Sequence, residues 1–164
     1  MSRWKPLAAL MLCLSAGLAS AELRSGWVSW VLDGDTVQVL LEGQSEPIKL
    51  RLKDMDAPEL CQPGGEAARE ALVALALRQR VEVELLAEDV YGRQVGRVVR
   101  GGLDLGAEMV HTGMAWAYRF RTGQGPYARL QRQAQKNQWG LFAAPETAMS
   151  PPLFRQFHGS CHSG

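Results

Sequence analysis

Residues 47–59 read Pro-Ile-Lys-Leu-Arg-Leu-Lys-Asp-Met-Asp-Ala-Pro-Glu, and the reading of this stretch sets the fold class. Ile48, Leu50 and Leu52 alternate with Lys49, Arg51 and Lys53. A period of two predicts a strand over 47–53 with one apolar face and one cationic face. Arg51 therefore stands on the polar face, immediately before the acidic loop from Asp54 to Glu59.

Working outward, two more apolar segments lie upstream, Trp27 to Leu32 and Thr36 to Leu41. They flank Asp33-Gly34, a tight-turn dipeptide. Downstream, Gly64-Gly65 ends the acidic loop. From Glu66 to Arg78 apolar residues fall at 68, 71, 72, 75 and 76, a helical period. Val81, Val83 and Leu85 alternate with Glu82 and Glu84 as a fourth strand. A turn over Glu88 to Gly92 leads to a fifth, Arg93 to Arg100, broken by Gly101-Gly102. Leu105 to His111 reads as a short helix stopped by Gly113, with His111 on its surface. A second helix is expected from Pro126 to about Gln138, with Gly140 at its end. The tail, carrying Pro145, Pro151 and Pro152, is expected to lie irregularly over the body. Five short strands with a helix after the third predict a mainly β fold with α: a five-stranded Greek-key barrel of the OB type, with about three helices.

The N-terminus has a different character. Arg3 and Lys5 precede an apolar run from Leu7 to Leu18, and Ala19-Ser20-Ala21 follows as a small-x-small signal. This is the form of a secretory signal peptide cleaved after Ala21; the run is too short for a bilayer anchor. The expected organisation is a signal at 1–21, one domain at 22–144 and a tail at 145–164 packed on or tethered to it. The product is expected to be exported, to the periplasm or beyond, as a monomer without stable membrane association. Without Arg3 and Lys5 the chain keeps 16 basic and 17 acidic side chains, which excludes a broad basic face for polyanions. A nucleic-acid site must be a local basic pocket. Cys13 leaves with the signal, and in an oxidising space Cys61 and Cys161 are most simply read as a disulfide. The competing reading is a metal site from His158, Cys161 and His162.

The chemistry-bearing residues are ordinary one by one. Asp33-Gly34-Asp35-Thr36 is a hairpin turn, Asp56-Ala57-Pro58-Glu59 a strand-ending turn, and Tyr91-Gly92-Arg93 a common turn. Together, three carboxylates and two arginines at strand ends are the groups that phosphodiester cleavage requires. Carboxylates hold a hard cation and activate water, and arginine forks neutralise a phosphate.

Their order and spacing resemble the staphylococcal-nuclease-like (thermonuclease) family over nearly all of the chain after the leader. The resemblance is carried by Val31-Leu32-Asp33-Gly34-Asp35-Thr36-Val37, by Leu50-Arg51-Leu52 with Asp56-Ala57-Pro58-Glu59, and by Gly65-Glu66-Ala67. It continues through Asp89-Val90-Tyr91-Gly92-Arg93, Gly113-Met114-Ala115-Trp116-Ala117-Tyr118 and Gly140-Leu141-Phe142. It implies a Ca2+ ion held by Asp35, Asp56 and the backbone carbonyl of Ala57. It implies Glu59 as general base, and Arg51 and Arg93 as phosphate-binding arginines. It also implies low sequence specificity on DNA or RNA, with 3′-phosphate ends. Tyr91 and Tyr118 are the expected substrate-binding aromatics, with Trp116 and Phe120 divided between base stacking and packing. Asp54 stands where the family is often small or apolar, and no chemical role follows for it. The alternative function is a catalytically idle OB-fold module that binds nucleic acid or protein. The presence of all five side chains, Asp35, Arg51, Asp56, Glu59 and Arg93, speaks for the enzyme.

Overall fold

The computed structural model describes residues 23–144 and 148–161. The expected signal at 1–21 lies outside them, as do Pro145, His162 and the side chain of Phe120. Strand β1 (Leu23–Val31) turns at Asp33-Gly34 into β2 (Thr36–Leu41), which pairs antiparallel with β3 (Ile48–Leu52). After the short β4 (Met55–Asp56) comes helix α1 (Gly65–Ala76), then β5 (Arg80–Glu88) and β6 (Gln94–Arg100). The sheet order is β3-β2-β1-β5-β6, and parallel pairing of β3 with β6 closes it into a five-stranded barrel. This is the expected OB-type barrel.

β1 begins four residues before Trp27 because its first half has a second partner. Residues 23–27 pair with β5, whereas 26–31 pair with β2. Leu23-Arg24-Ser25-Gly26 shows no alternation of its own, and the ladder makes it a strand. Register shifts at Val28/Trp30 and Leu85/Ala87 bend the two long strands, as closure of a small barrel requires. The inward residues of the alternating segments fill the barrel: Val37, Val39, Leu50, Leu52, Val83 and Val98 are all at most 1 % exposed. Helix α1 adds Ala68, Leu72 and Ala76 from the single apolar stripe read in its sequence.

Beyond the barrel, β7 (Leu103–Asp104) leads into α2 (Leu105–His111), whose Leu105, Met109 and Val110 are buried. The short β8 (Trp116–Ala117) pairs with β4, and α3 (Ala128–Lys136) packs on α2. Buried Gln131 of α3 accepts a hydrogen bond from the Ala117 N–H at 2.7 Å, fixing β8 against the helix. Among the described residues no helix is long and apolar enough to cross a membrane.

The tail departs from expectation. It is not irregular: α4 (Pro151–His158) is a helix of eight residues, preceded by Ser150 in an extended conformation. Pro151 and Pro152 open it instead of breaking it, because their missing N–H groups and fixed φ suit the first helical turn. Among the described residues the α-helices are thus four.

Candidate active site

The turn between β1 and β2 is shaped by its first aspartate. Asp33 Oδ1 accepts the Asp35 N–H at 2.9 Å, which turns the Asp35 side chain inward. Gly34 allows the turn to press on the neighbouring loop. A Cβ there would come within 2.7 Å of the Ala57 Cβ and 2.8 Å of the Ala68 Cβ. Any side chain at 34 would push Asp35 away from Asp56 and Ala57.

Asp35 is 4 % exposed and Asp56 is 7 % exposed, and one guanidinium holds both. Arg51 donates through Nη1 to Asp35 Oδ2 at 2.6 Å and through Nη2 to Asp56 Oδ1 at 3.0 Å. Asp35 also accepts from Thr36 Oγ1 at 2.8 Å and from the Ala57 N–H at 3.2 Å. The alternation of β3 explains how Arg51 gets there. It stands opposite Thr36 in the ladder, with Leu50 and Leu52 on the other face in the core. Asp56 is fixed from behind by pairing with Trp116 of β8. Burial pushes the Asp35 carboxyl up to about 7; Arg51 opposes this, and Asp33 and Asp56 reinforce it. Burial also opposes the charge on Arg51, but Asp35 and Asp56 outweigh it and hold Arg51 above its ordinary value.

Arg93 enters from the start of β6, on the strand that closes against β3. Asp89 caps this turn: its Oδ1 accepts the N–H groups of Tyr91 at 2.9 Å and Arg93 at 3.0 Å. Its Oδ2 takes the Arg93 Nε at 2.7 Å. Asp89 therefore holds the Nε edge of the fork, and the guanidinium lies 5.5 Å from the Tyr91 ring centroid. Asp35, Arg51, Ala57, Glu59, Tyr91 and Arg93 all line one cleft of about 550 Å³. Asp56 joins them through Arg51. Tyr118 does not line the cleft; it is 54 % exposed, with Arg119 5.5 Å over its ring. Trp116 meets Phe142 edge-on at 5.2 Å, the packing alternative.

Asp54 has a structural explanation. Its φ of 65° places it in the left-handed region, where the chain turns from β3 into β4, and Asp is among the residues that tolerate this. Its carbonyl accepts the Tyr118 N–H at 2.9 Å. Cys61 and Cys161 are joined, with Cα atoms 5.7 Å apart. The competing metal reading loses Cys161 to that bridge, and His158 packs on Phe154 at 4.6 Å.

Sequence reasoning missed two cationic side chains of the cleft. Lys49 shares the outward face of β3 with Arg51, so the alternation already contained it. Arg155 of α4 is the larger omission. Its Nη2 donates to Asp56 Oδ2 at 2.8 Å and its Nη1 to Glu59 Oε1 at 2.9 Å and Asp56 Oδ1 at 3.2 Å. Hydrogen bonding to Asp56 and Glu59 outweighs its burial and raises its pKa above the ordinary arginine value.

Among the described residues no three His, Cys, Asp or Glu side chains converge as a ready-made metal cage. The donor set suits a hard cation nonetheless. Asp35 and Asp56 are two buried carboxylates brought together on one guanidinium, with the Ala57 backbone adjacent, and oxygen donors of this kind match calcium in irregular coordination. A carboxyl that burial drives towards neutrality gains from positive charge beside it.

Comparison with known proteins agrees with this geometry. The family described as staphylococcal nuclease homologue matches residues 49–144. Protein ParB of Escherichia coli is 41 % identical over 160 residues, covering 91 % of this chain and 88 % of its own. A micrococcal nuclease of Shigella flexneri is 36 % identical over 163 residues, covering 93 % and 91 %. An uncharacterized endonuclease of Haemophilus influenzae is 34 % identical over 124 residues, covering 76 % and 69 %. With its closed barrel and its cleft of carboxylates and arginines, the chain belongs to the staphylococcal nuclease family and is a phosphodiester-hydrolysing nuclease of that type.

Proposed function

We propose that this nuclease is an exported, calcium-dependent enzyme that hydrolyses DNA or RNA with low sequence specificity and leaves 3′-phosphate ends. The observation that carries the reading is that Arg51 holds buried Asp35 and Asp56 together beside the cleft that Asp35, Arg51, Glu59 and Arg93 line. Asp35, Asp56 and the Ala57 carbonyl hold the ion, which when bound supplies positive charge to a phosphate oxygen and to the attacking water. Glu59 accepts a proton from that water. Arg51 and Arg93 face the phosphate as negative charge spreads over its oxygens, and each is already aimed by an aspartate, Asp35 for one and Asp89 for the other. Tyr91, 81 % exposed at the cleft edge, offers a face on which a base stacks, without regard to sequence.

Export follows from the leader at 1–21, and the Cys61–Cys161 bridge suits an oxidising compartment. The purified protein is expected to degrade single-stranded DNA with added calcium and to stop when calcium is chelated. Its products are expected to prime a polymerase only after phosphatase treatment. Full activity in chelator, or ends that prime directly, would refute the calcium or the product assignment respectively.

A further inference from the structure

The tail is built onto the catalytic loop by several independent contacts. Cys161 is bonded to Cys61, two residues beyond Glu59, and its Sγ accepts the Cys61 N–H at 2.8 Å. Buried Gln62 reaches both sides: its Nε2 donates to the Met149 carbonyl at 2.6 Å, and its Oε1 accepts the Glu59 N–H at 3.3 Å. Pro151 and Phe154 are the buried residues of α4. The loop itself sits tightly on the start of α1, where a Cβ on Gly65 would collide with the Glu59 carbonyl. Arg155 is thereby held over the site, half-buried with its guanidinium on the two carboxylates. It takes both oxygens of Asp56 and one of Glu59, while Arg51 takes Asp56 and Asp35.

We infer that Arg155, which also holds Glu59, is a tethered internal cation that competes with calcium for Asp56, so that the disulfide-anchored tail sets the metal affinity of the site. This rests on the calcium reading given above. Both Asp56 oxygens already carry guanidinium N–H groups, three bonds over the carboxylate's roughly four acceptor sites, so a divalent ion arriving there meets two like charges on a nearly filled group. The competition is intramolecular. Arg155 is six residues from Cys161, and Glu59 is two from Cys61, so the bridge closes a short ring that keeps the guanidinium at high effective concentration. Arg155 differs in this from Arg51. Arg51 is fixed on a barrel strand between both aspartates, whereas Arg155 arrives on an appended helix and can leave with it.

The test is calorimetric titration of the exported chain with calcium alone, without nucleic acid, with folding of each variant checked by thermal melting. Arg155→Gln is expected to bind calcium about tenfold more tightly than wild type, the scale of one partly screened ion pair. Arg155→Lys keeps the charge but loses the fork, and should fall between the two. The Cys61→Ser/Cys161→Ser chain retains Arg155 but frees the tail, and should also bind more tightly than wild type. Asp56→Asn should abolish binding. Equal or weaker calcium binding by Arg155→Gln, with Asp56→Asn inactive in binding, overturns the inference and leaves the metal site standing. A loss of oligonucleotide affinity in Arg155→Gln at unchanged calcium affinity also overturns it, and makes Arg155 a phosphate contact instead. Absence of calcium binding in every chain, or wild-type binding by Asp56→Asn, overturns the metal site and the inference together.

Discussion

Asp35 makes the calcium-free protein pH-sensitive in an unusual direction. Its carboxyl titrates at about 7 in the folded chain against 3.8 when exposed. Because the folded state prefers the neutral form, the stability that this group contributes is fully present below about pH 4. It is lost as pH rises through about 7. Raising the carboxyl from 3.8 to about 7 corresponds to about 4 kcal/mol. The charges of Arg51, Asp33 and Asp56 act on this carboxyl in opposing directions, so about half of that, ~2 kcal/mol, is the loss expected between pH 4.5 and 8. Asp89 and Asp104, whose carboxyls are held low by their hydrogen bonds, act in the opposite sense and lose stability as pH falls through the acid range. The measurement is therefore a difference. Urea midpoints in chelator are followed over this pH range for wild type and for Asp35→Asn, which cannot ionise. Wild type should lose ~2 kcal/mol relative to the variant as pH rises, and calcium should restore most of it to wild type alone. Parallel pH profiles for the two chains would refute the account of a strained, buried carboxylate.

Glu59→Gln should lower turnover by about 100-fold or more, the usual worth of a general base, with melting unchanged; single-turnover cleavage at the wild-type rate would exclude Glu59 from proton transfer. Arg93→Ala should cost a comparable factor in kcat, about 100-fold, without loss of fold, because Arg93 lies at the cleft edge and not in the core; an effect on KM alone would make it a binding residue only. Replacing Cys61 and Cys161 by Ser opens a loop of sequence separation 100, for which chain entropy allows a loss of up to about 4.7 kcal/mol. An unaltered denaturant midpoint would show that the tail adds nothing to global stability.

Much of this was legible in the sequence because it is local. The alternation through Ile48, Leu50 and Leu52 fixed which way Arg51 faces, and the Asp33-Gly34 turn and the stop at Gly92 marked where Asp35 and Arg93 leave their strands. The cysteine pair correctly tied the tail to the loop after Glu59. What was not legible depends on chain brought from afar. Residues 23–26 are a strand only because β5 lies beside them. Asp54 looked like a spare charge, because a left-handed φ leaves no mark on composition. Arg155 was hidden by the prolines before it, which read as breakers in a tail and act as helix starters. Its partners are 96 and 99 residues away in sequence.

The parallel seam between β3 and β6 has a consequence for how activity arises during folding. It pairs Arg51 with Val95 and Leu50 with Gln94, so it brings Arg51 and Arg93 to one cleft although 42 positions separate them. Every other barrel pairing is antiparallel and can form without this one. Contacts between distant segments of this kind are slow to form, since the intervening chain must first be ordered. A partly folded molecule can hold Asp35 and Arg51 on the first hairpins and still have no second arginine in place. Catalytic competence is then expected only once the barrel has shut, and the regain of cleavage on refolding would time that moment.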